Sequence, residues 1–160
     1  MIGRYAIWPT NYCHMALPRN RNRSDTPPPP DDFLYSTWTL ETAALRVSEG
    51  LATTSLYRVK DRLGLSNREL AALVQIPART LARRLGDERL KPDESERVYR
   101  IARLLEIAAR VLGTIEAASA WMRRPNFALG EQIPLELART GPGAFLVERL
   151  LVGIEHGLTV

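Results

Sequence analysis

The 160-residue sequence contains one cysteine, Cys13, so it cannot hold an internal disulfide framework. His14 beside it does not make a metal site without further ligands at workable spacing. No apolar run approaches the roughly 18 residues that a membrane-spanning helix needs, and the N-terminus lacks the features of a signal peptide. We therefore expect a cytoplasmic protein without a bound metal.

The motifs of common enzyme classes are also missing. There is no glycine-rich phosphate loop, no pair of carboxylates in a plausible cleft, and no serine or cysteine nucleophile placed near a histidine. His156 stands at a predicted helix end with neither a nucleophile nor an acidic partner nearby in sequence. We expect a protein that is not an enzyme, with no catalytic residues and no cofactor.

Leucine and alanine dominate from Leu40 onward, and 45% of all residues are apolar, which favours an all-α fold. Residues 1–32 differ from the rest, because PPPP at Pro27–Pro30 favours extended polyproline II and opposes a packed core. We interpret 1–32 as a disordered arm. Either Arg19, Arg21 and Arg23 lie along DNA phosphates, or the segment is a solvated leader or an over-long gene start.

The net charge is +4 with a pI near 9.6, and arginine supplies nearly all of the positive charge. Guanidinium groups suit phosphate binding, but this small net charge is common in proteins that never meet nucleic acid. The placement of the arginines therefore matters more than their number.

The helix start and stop signals in residues 33–95 predict a helix-turn-helix domain. A first helical pattern ends at Gly50 and a second ends at Gly64. Ser66 and Glu69 have the spacing of a capping box, so the next helix should begin at Asn67. Pro77 is preset for a first helical turn and starts the second helix of the pair. The expected core of this pair consists of Leu70, Ala71, Leu73, Ile76, Leu81 and Leu85.

The second helix of the pair carries a basic face, for which we predict DNA contacts by Arg79, Thr80, Arg83 and Arg84. Such residues suit guanine edges and phosphates in a major groove. Basic helix pairs also occur in proteins that do not bind DNA, so both interpretations stay open. Gln75 occupies the turn where glycine is usual, and a non-glycine residue at positive φ costs about 1 kcal/mol.

A long helix should start at Lys91-Pro92-Asp93 and end at Gly113, with acidic residues in its first turn where the helix dipole favours them. Its polar residues form one narrow stripe, consisting of Arg100, Arg103, Glu106 and Arg110. A helix with so little polar surface must be covered on several sides, either by its own domain or by a second copy of the chain. We expect a homodimer, which would also place two recognition helices on a duplex.

Residues 96–160 form the second predicted domain and contain many turn residues. Thr114 should cap one helix, and Asn126 should cap a single turn that Gly130 ends. Pro134 should start a short helix that Gly141-Pro142 ends, followed by a final helix from Gly143 to His156. The residues expected in this domain's core are Trp121, Leu129, Leu137, Val147 and Ile154. Gly143 and Gly157 should serve backbone geometry.

Residues 45–160 resemble the Xre/MbcA/ParS antitoxins. The similarity in the second half is carried by Trp121, Pro125-Asn126, Leu129-Gly130, Pro134-Leu135, Leu137, Thr140, Gly143, Val147, Leu150, Ile154 and His156-Gly157. The stretch GLSNRELAALVQIPARTLARRL is similar to the Xre-like helix-turn-helix of the same family. Two residues depart from the family pattern, because Glu131 stands where a second glycine is frequent and Gln75 replaces the turn glycine.

The resemblance implies an antitoxin of a type II pair, bound to a RES-domain toxin that consumes NAD. It implies that the C-terminal end obstructs the toxin's active site, that the antitoxin is dimeric, and that it binds operator DNA of its own promoter. The toxin contacts expected on this basis are Asn126, Leu129, Gly130, Glu155, His156, Gly157, Leu158, Thr159 and Val160. A carboxylate at the tail suits the arginines that would otherwise bind NAD phosphates.

A second hypothesis is a stand-alone helix-turn-helix regulator whose C-terminal half only dimerises. The two hypotheses differ in the expected genetic context, because a RES-type gene beside this one favours the antitoxin.

Overall fold

The described residues, 35–84 and 88–157, of the computed structural model contain eight α-helices and two 3-10 turns. The α-helices are α1 (Leu40–Glu49), α2 (Thr54–Leu63), α3 (Asn67–Leu73), α4 (Ala78–Arg84), α5 (Pro92–Leu112), α6 (Ile115–Met122), α7 (Pro134–Leu137) and α8 (Gly141–Glu155). The 3-10 turns are Tyr35–Thr37 and Phe127–Leu129. The expectations for the arm 1–32, for Leu85 and for the tail Leu158–Val160 lie outside these residues.

Local capping starts the helices as the sequence predicts. The Ser66 hydroxyl accepts the Glu69 N–H at 3.2 Å, while the Glu69 carboxylate accepts the Ser66 N–H at 2.7 Å. Both bonds of the capping box at α3 are therefore present. The Thr114 hydroxyl accepts the Ala117 N–H in the same way and caps α6. The all-α prediction is confirmed.

The start of α8 differs from the prediction. Gly141 and Pro142 are its first two residues, and they do not form a separate stop after α7. The reason is Thr140, whose hydroxyl accepts the Gly143 N–H at 3.1 Å and so acts as the N-cap. Pro142 fits the first helical turn because it has no N–H to leave unsatisfied.

The long helix α5 lies at the centre of the bundle. Helices α1 and α2 pack against it from the first half of the chain, and α6 and α8 pack against it from the second half. Of the two alternatives for covering the apolar surface of α5, the structure shows the first, because helices of the same chain pack against it. The predicted domain boundary between residues 95 and 96 falls inside α5.

Residues before and after α5 contribute to one buried core around that helix. This core contains the helix-turn-helix residues Leu70, Ala71, Leu73, Ile76 and Leu81 together with Val147 and Leu151 of α8. Trp121, Leu129 and Leu137 are partly buried and pack against it. Ile154 was expected in the core and is 38% exposed. The helical spacing of apolar residues continues past the point where other helices cover α8.

The polar stripe on α5 is mostly paired with other elements rather than solvated. Arg103 forms a two-bond pair with Glu148 of α8, at 2.6 and 2.7 Å, and Arg110 forms a similar pair with Glu155. The hydrogen bonds to Glu148 raise the pKa of Arg103 above its ordinary value. These pairs join the second half of α8 to α5 at two points one heptad apart, Glu148 and Glu155.

None of the helices within residues 35–84 and 88–157 combines the length and the apolar character needed to cross a membrane.

Candidate functional site

Helices α3 and α4 form the predicted helix-turn-helix. The turn between them places Gln75 at φ 53°, so a residue other than glycine does occupy the left-handed conformation there. The Gln75 side chain donates from Nε2 to the carbonyl of Arg139 at 3.1 Å. This bond gives the glutamine a contact that glycine could not make, and it joins the turn to the loop that precedes α8.

The predicted DNA contacts on α4 separate into two groups. Arg79 and Arg83 are exposed, and their spacing of four residues places them on one face of the helix. Thr80 lies beside them and is half-buried. These three side chains form the basic face of α4, which can present guanidinium groups to phosphates or guanine edges.

Arg84 does not belong to that exposed face. Its side chain is buried, and its Nε donates to both carboxylate oxygens of Glu94 at 3.1 and 2.9 Å. The expectation that Arg84 faces outward with Arg79 and Arg83 is therefore wrong. Its neighbour in sequence, Arg83, points elsewhere because adjacent helical residues are separated by about 100° around the axis.

A second contact joins the helix-turn-helix to the C-terminal half. Arg123, just after α6, donates from Nη1 to the carbonyls of Leu63 and Gly64 at 2.9 and 3.2 Å. Its Nη2 lies 3.4 Å from a carboxylate oxygen of Glu69. Hydrogen bonds from Ser66 hold the pKa of Glu69 below its ordinary value. Sequence reasoning missed this role of Arg123, because its partners lie about 60 positions earlier in the chain.

The turn segment after α6 contains the first group of predicted toxin contacts. The Asn126 side chain accepts the Ala128 N–H at 2.9 Å and caps the 3-10 turn, as predicted. Leu129 packs against the core, and Gly130 ends the turn at φ 66°. Glu131 follows at φ 62°. Asn126 and Leu129 thus stabilise the turn. Phe127, between them, projects into solvent and is 86% exposed.

The end of α8 contains the second group. Glu155 is paired with Arg110, the ring Nδ1 of His156 lies 2.8 Å from the Val152 carbonyl, and Gly157 adopts φ 68°. All three residues are exposed. Gly157 and the buried Gly143 serve backbone geometry as expected, since a Cβ at Gly143 would clash with the Leu137 carbonyl.

An exposed face runs along α8 and was not predicted. It consists of Phe145, Arg149, Val152 and His156, with Leu146 on its flank, and we call it the outer face of α8. The spacing of i, i+4, i+7 and i+11 places the first four side chains in one line. The Arg149 guanidinium lies over the Phe145 ring, 5.9 Å from its centroid. Phe127, also exposed, lies on a 3-10 turn that contacts α8.

Clusters of exposed aromatic and aliphatic side chains are typical of binding surfaces, whereas single exposed apolar residues are ordinary. The outer face of α8 ends at His156 and Gly157, where the predicted tail begins. The helical spacing Phe145–Val152 was a signal in the sequence. It was hidden because Val147, Leu150 and Leu151 supply a stronger apolar pattern on the opposite side.

A cavity of about 220 Å³ lies between α3 and α7. Its walls are formed by Leu65, Glu69, Ala72, Leu73, Arg123, Ile133, Leu135 and Glu136. The charged groups at its rim are paired, Arg123 with Glu69 and Glu136 with Arg139. The cavity is thus a seam between the two halves with its polar groups already satisfied by neighbours.

Comparison with known proteins assigns both halves. Residues 43–103 match the family model described as antitoxin Xre-like helix-turn-helix domain. Residues 108–157 match the antitoxin Xre/MbcA/ParS C-terminal toxin-binding domain. Both are binding domains and not catalytic families, so this chain is not an enzyme.

Individual relatives agree with this assignment. The chain is 32% identical over 113 residues to a protein named Antitoxin Xre from Pseudomonas putida, covering 70% of each chain. It is 30% identical over 114 residues to Antitoxin Xre from Photorhabdus laumondii, covering 70% of this chain and 77% of that protein. It also superposes on a chain from the crystal structure of the M. tuberculosis MbcT-MbcA toxin-antitoxin complex. That superposition has a TM-score of 0.52 and 26% identity, and it covers 68% of this chain and 96% of the other.

Proposed function

This chain belongs to the Xre/MbcA/ParS antitoxin family, and from that premise we propose that it binds and neutralises a RES-type toxin that consumes NAD. The outer face of α8 and Phe127 pack on the toxin, and the end of the chain enters the toxin's active-site cleft. A toxin partner is supported by the matched toxin-binding domain and by the toxin-antitoxin complex among the similar structures.

The observation that carries this proposal is the continuity of the exposed surface. Phe145 and Val152 lie on one line of α8, and that line leads to His156 and Gly157. A partner that covers the apolar side chains is thereby adjacent to Leu158, Thr159 and Val160. Those three residues supply two apolar side chains and a hydroxyl, which suit a plug for a cleft. The contacts proposed at Glu155, His156, Gly157 and Gly130 are the rim of this surface.

Removal of Leu158–Val160 tests the plug. The shortened and full-length antitoxins are each mixed with the partner, and complex formation and NAD hydrolysis are measured separately. We expect the shortened protein still to bind through the outer face of α8 while NAD hydrolysis returns. Unchanged inhibition would show that the tail is not the plug, and absence of NAD hydrolysis by the free partner would reject the RES-type assignment.

We also propose that the antitoxin binds operator DNA of its own promoter as a homodimer and represses it. The basic face of α4 enters the major groove, with Arg79 and Arg83 contacting bases or phosphates and Thr80 beside them. Support comes from the exposure of both arginines on one helical face and from the matched helix-turn-helix domain. Two copies would place two recognition helices one turn of the duplex apart.

Substitutions distinguish base contacts from phosphate contacts. Arg79→Ala and Arg83→Ala should each weaken operator binding by about 1–3 kcal/mol if the side chains read bases. Equal losses on operator and unrelated DNA would assign them to phosphates. Arg149→Ala is the matched control, because it removes the same charge from an exposed site on α8 and should leave operator affinity unchanged. Light scattering of the protein with and without operator measures the dimer.

A further inference from the structure

Helix α4, which carries the basic face, buries two side chains among the residues that the structure describes there, 78–84. It has seven residues, and its buried members are Leu81 and Arg84. Leu81 is the one apolar side chain of 78–84 that is buried, and apolar packing is not directional, so it restrains rotation about the helix axis only weakly. The second anchor therefore decides which way Arg79 and Arg83 point.

That second anchor is a buried ion pair. Arg84 is 8% exposed and Glu94 is 5% exposed, and the Arg84 Nε donates to both oxygens of the carboxylate. Glu94 is itself held in place, because its Oε2 also accepts the backbone N–H of Lys91 at 2.9 Å. It lies in the first turn of α5, which the rest of the bundle fixes. The pair thus connects α4 to the helix against which α1, α2, α6 and α8 all pack.

Stability alone does not explain why two charges are buried here. Removing two charged groups from water costs several kcal/mol each, and apolar residues of similar volume are often at least as stabilising as a buried pair. An ion pair fixes orientation in a way that apolar contacts do not, because the planar guanidinium donates hydrogen bonds to a carboxylate only in certain orientations.

We propose that Arg84 and Glu94 are positioning residues for operator recognition, which together fix the rotation of α4 so that Arg79 and Arg83 face the DNA. This inference rests on the proposed DNA-binding function. It gives Arg84 a role in recognition without contact to the nucleic acid.

The test uses full-length protein carrying Arg84→Met together with Glu94→Leu. We expect it to fold with a melting temperature within a few degrees of that of the wild type, because no charge is left buried while the Lys91 N–H loses its Glu94 acceptor. We expect operator affinity to fall at least about tenfold, with binding to unrelated DNA unchanged. The α4 amides should exchange with solvent at least about tenfold faster, because the helix is less restrained. Wild-type operator affinity in this folded double variant would overturn the proposal.

A second, more conservative variant keeps the proposal testable if the double variant does not fold. Arg84→Lys keeps the charge but loses the planar fork, and we expect it to fold, to bind operator more weakly and to show faster α4 exchange. Wild-type affinity and exchange in that variant would also overturn the proposal. If the wild-type protein itself shows no sequence-specific binding, the DNA-binding proposal fails. In that case amide exchange of 78–84 still decides whether the pair restrains α4, and unchanged exchange in both variants rejects it.

Discussion

Replacing Glu106 by glutamine should stabilise the protein at neutral pH. Glu106 lies on α5 and is buried, and its Oε2 accepts the backbone N–H of Ser36 at 2.6 Å. Within residues 35–84 and 88–157, its other oxygen, Oε1, has no hydrogen-bond partner. Burial raises the pKa of Glu106 above its ordinary value, while the backbone amides of Ser36 and Tyr35 and the charge of Arg62 act in the opposite direction. The Glu106 carboxylate thus holds the 3-10 turn Tyr35–Thr37 against α5, but its burial with one unpartnered oxygen lowers the free energy of unfolding.

The direction of the pH effect follows from the raised pKa. A carboxyl whose pKa is higher in the folded than in the unfolded protein contributes stability below the ordinary value of about 4.5. That contribution is lost as the pH rises through the raised pKa. Glutamine does not titrate, so the variant lacks this loss and its amide oxygen can still accept the Ser36 N–H.

The size of the effect comes from the unpartnered oxygen. Leaving a buried polar group without a hydrogen bond costs about 1–3 kcal/mol, and a neutral amide is less costly to bury than a carboxylate. Because the amide group of glutamine also needs an acceptor, we expect a net gain of about 1 kcal/mol at pH 7. At pH 4 the gain should shrink toward zero, because the wild-type side chain is then largely protonated.

Urea unfolding of both proteins between pH 4 and pH 8 measures this difference. Glu116→Gln is the control, because Glu116 is exposed on α6 and its replacement should change the free energy of unfolding by less than about 0.5 kcal/mol at every pH. A Glu106→Gln protein that is less stable than the wild type at pH 7, or whose difference does not vary with pH, would refute the reasoning.

Two further expectations concern the toxin surface and the strained turns. Phe145 is 60% exposed, and covering that part of an aromatic side chain of roughly 200 Å² contributes about 3 kcal/mol, so Phe145→Ala should weaken toxin binding by up to about 100-fold in calorimetry. Leu45→Ala, at a similarly exposed site on α1, should bind as the wild type does, and equal affinities for both variants would count against the outer face of α8. Gln75 and Glu131 both have positive φ, but only Gln75 has a described bond across the seam, to Arg139. Glycine should therefore be better tolerated at Glu131 than at Gln75 by about 1 kcal/mol in unfolding experiments, and identical changes would show that the bond contributes nothing.

Local features of the chain could be read from the sequence because their causes are local. The Ser66 and Glu69 capping box, the start of α5 at Pro92, and the 3-10 turn capped by Asn126 each depend on residues three or four positions apart. The left-handed backbone at Gln75 was also expected from the helix-turn-helix spacing. Caps and turns of this kind also predict the order of the helices along the chain.

The tertiary structure decided which side of each helix is covered and which charges are paired. Arg83 and Arg84 are adjacent arginines that the sequence alone does not distinguish. In the structure Arg84 is buried and donates to Glu94, ten positions later, whereas Arg83 is exposed. Ile154 continues an apolar pattern but lies beyond the helices that cover α8. The apolar surface of α5 is covered by other helices of its own chain. Periodicity records that a face is apolar or basic, but burial depends on neighbours distant in sequence, whose approach only the folded chain specifies.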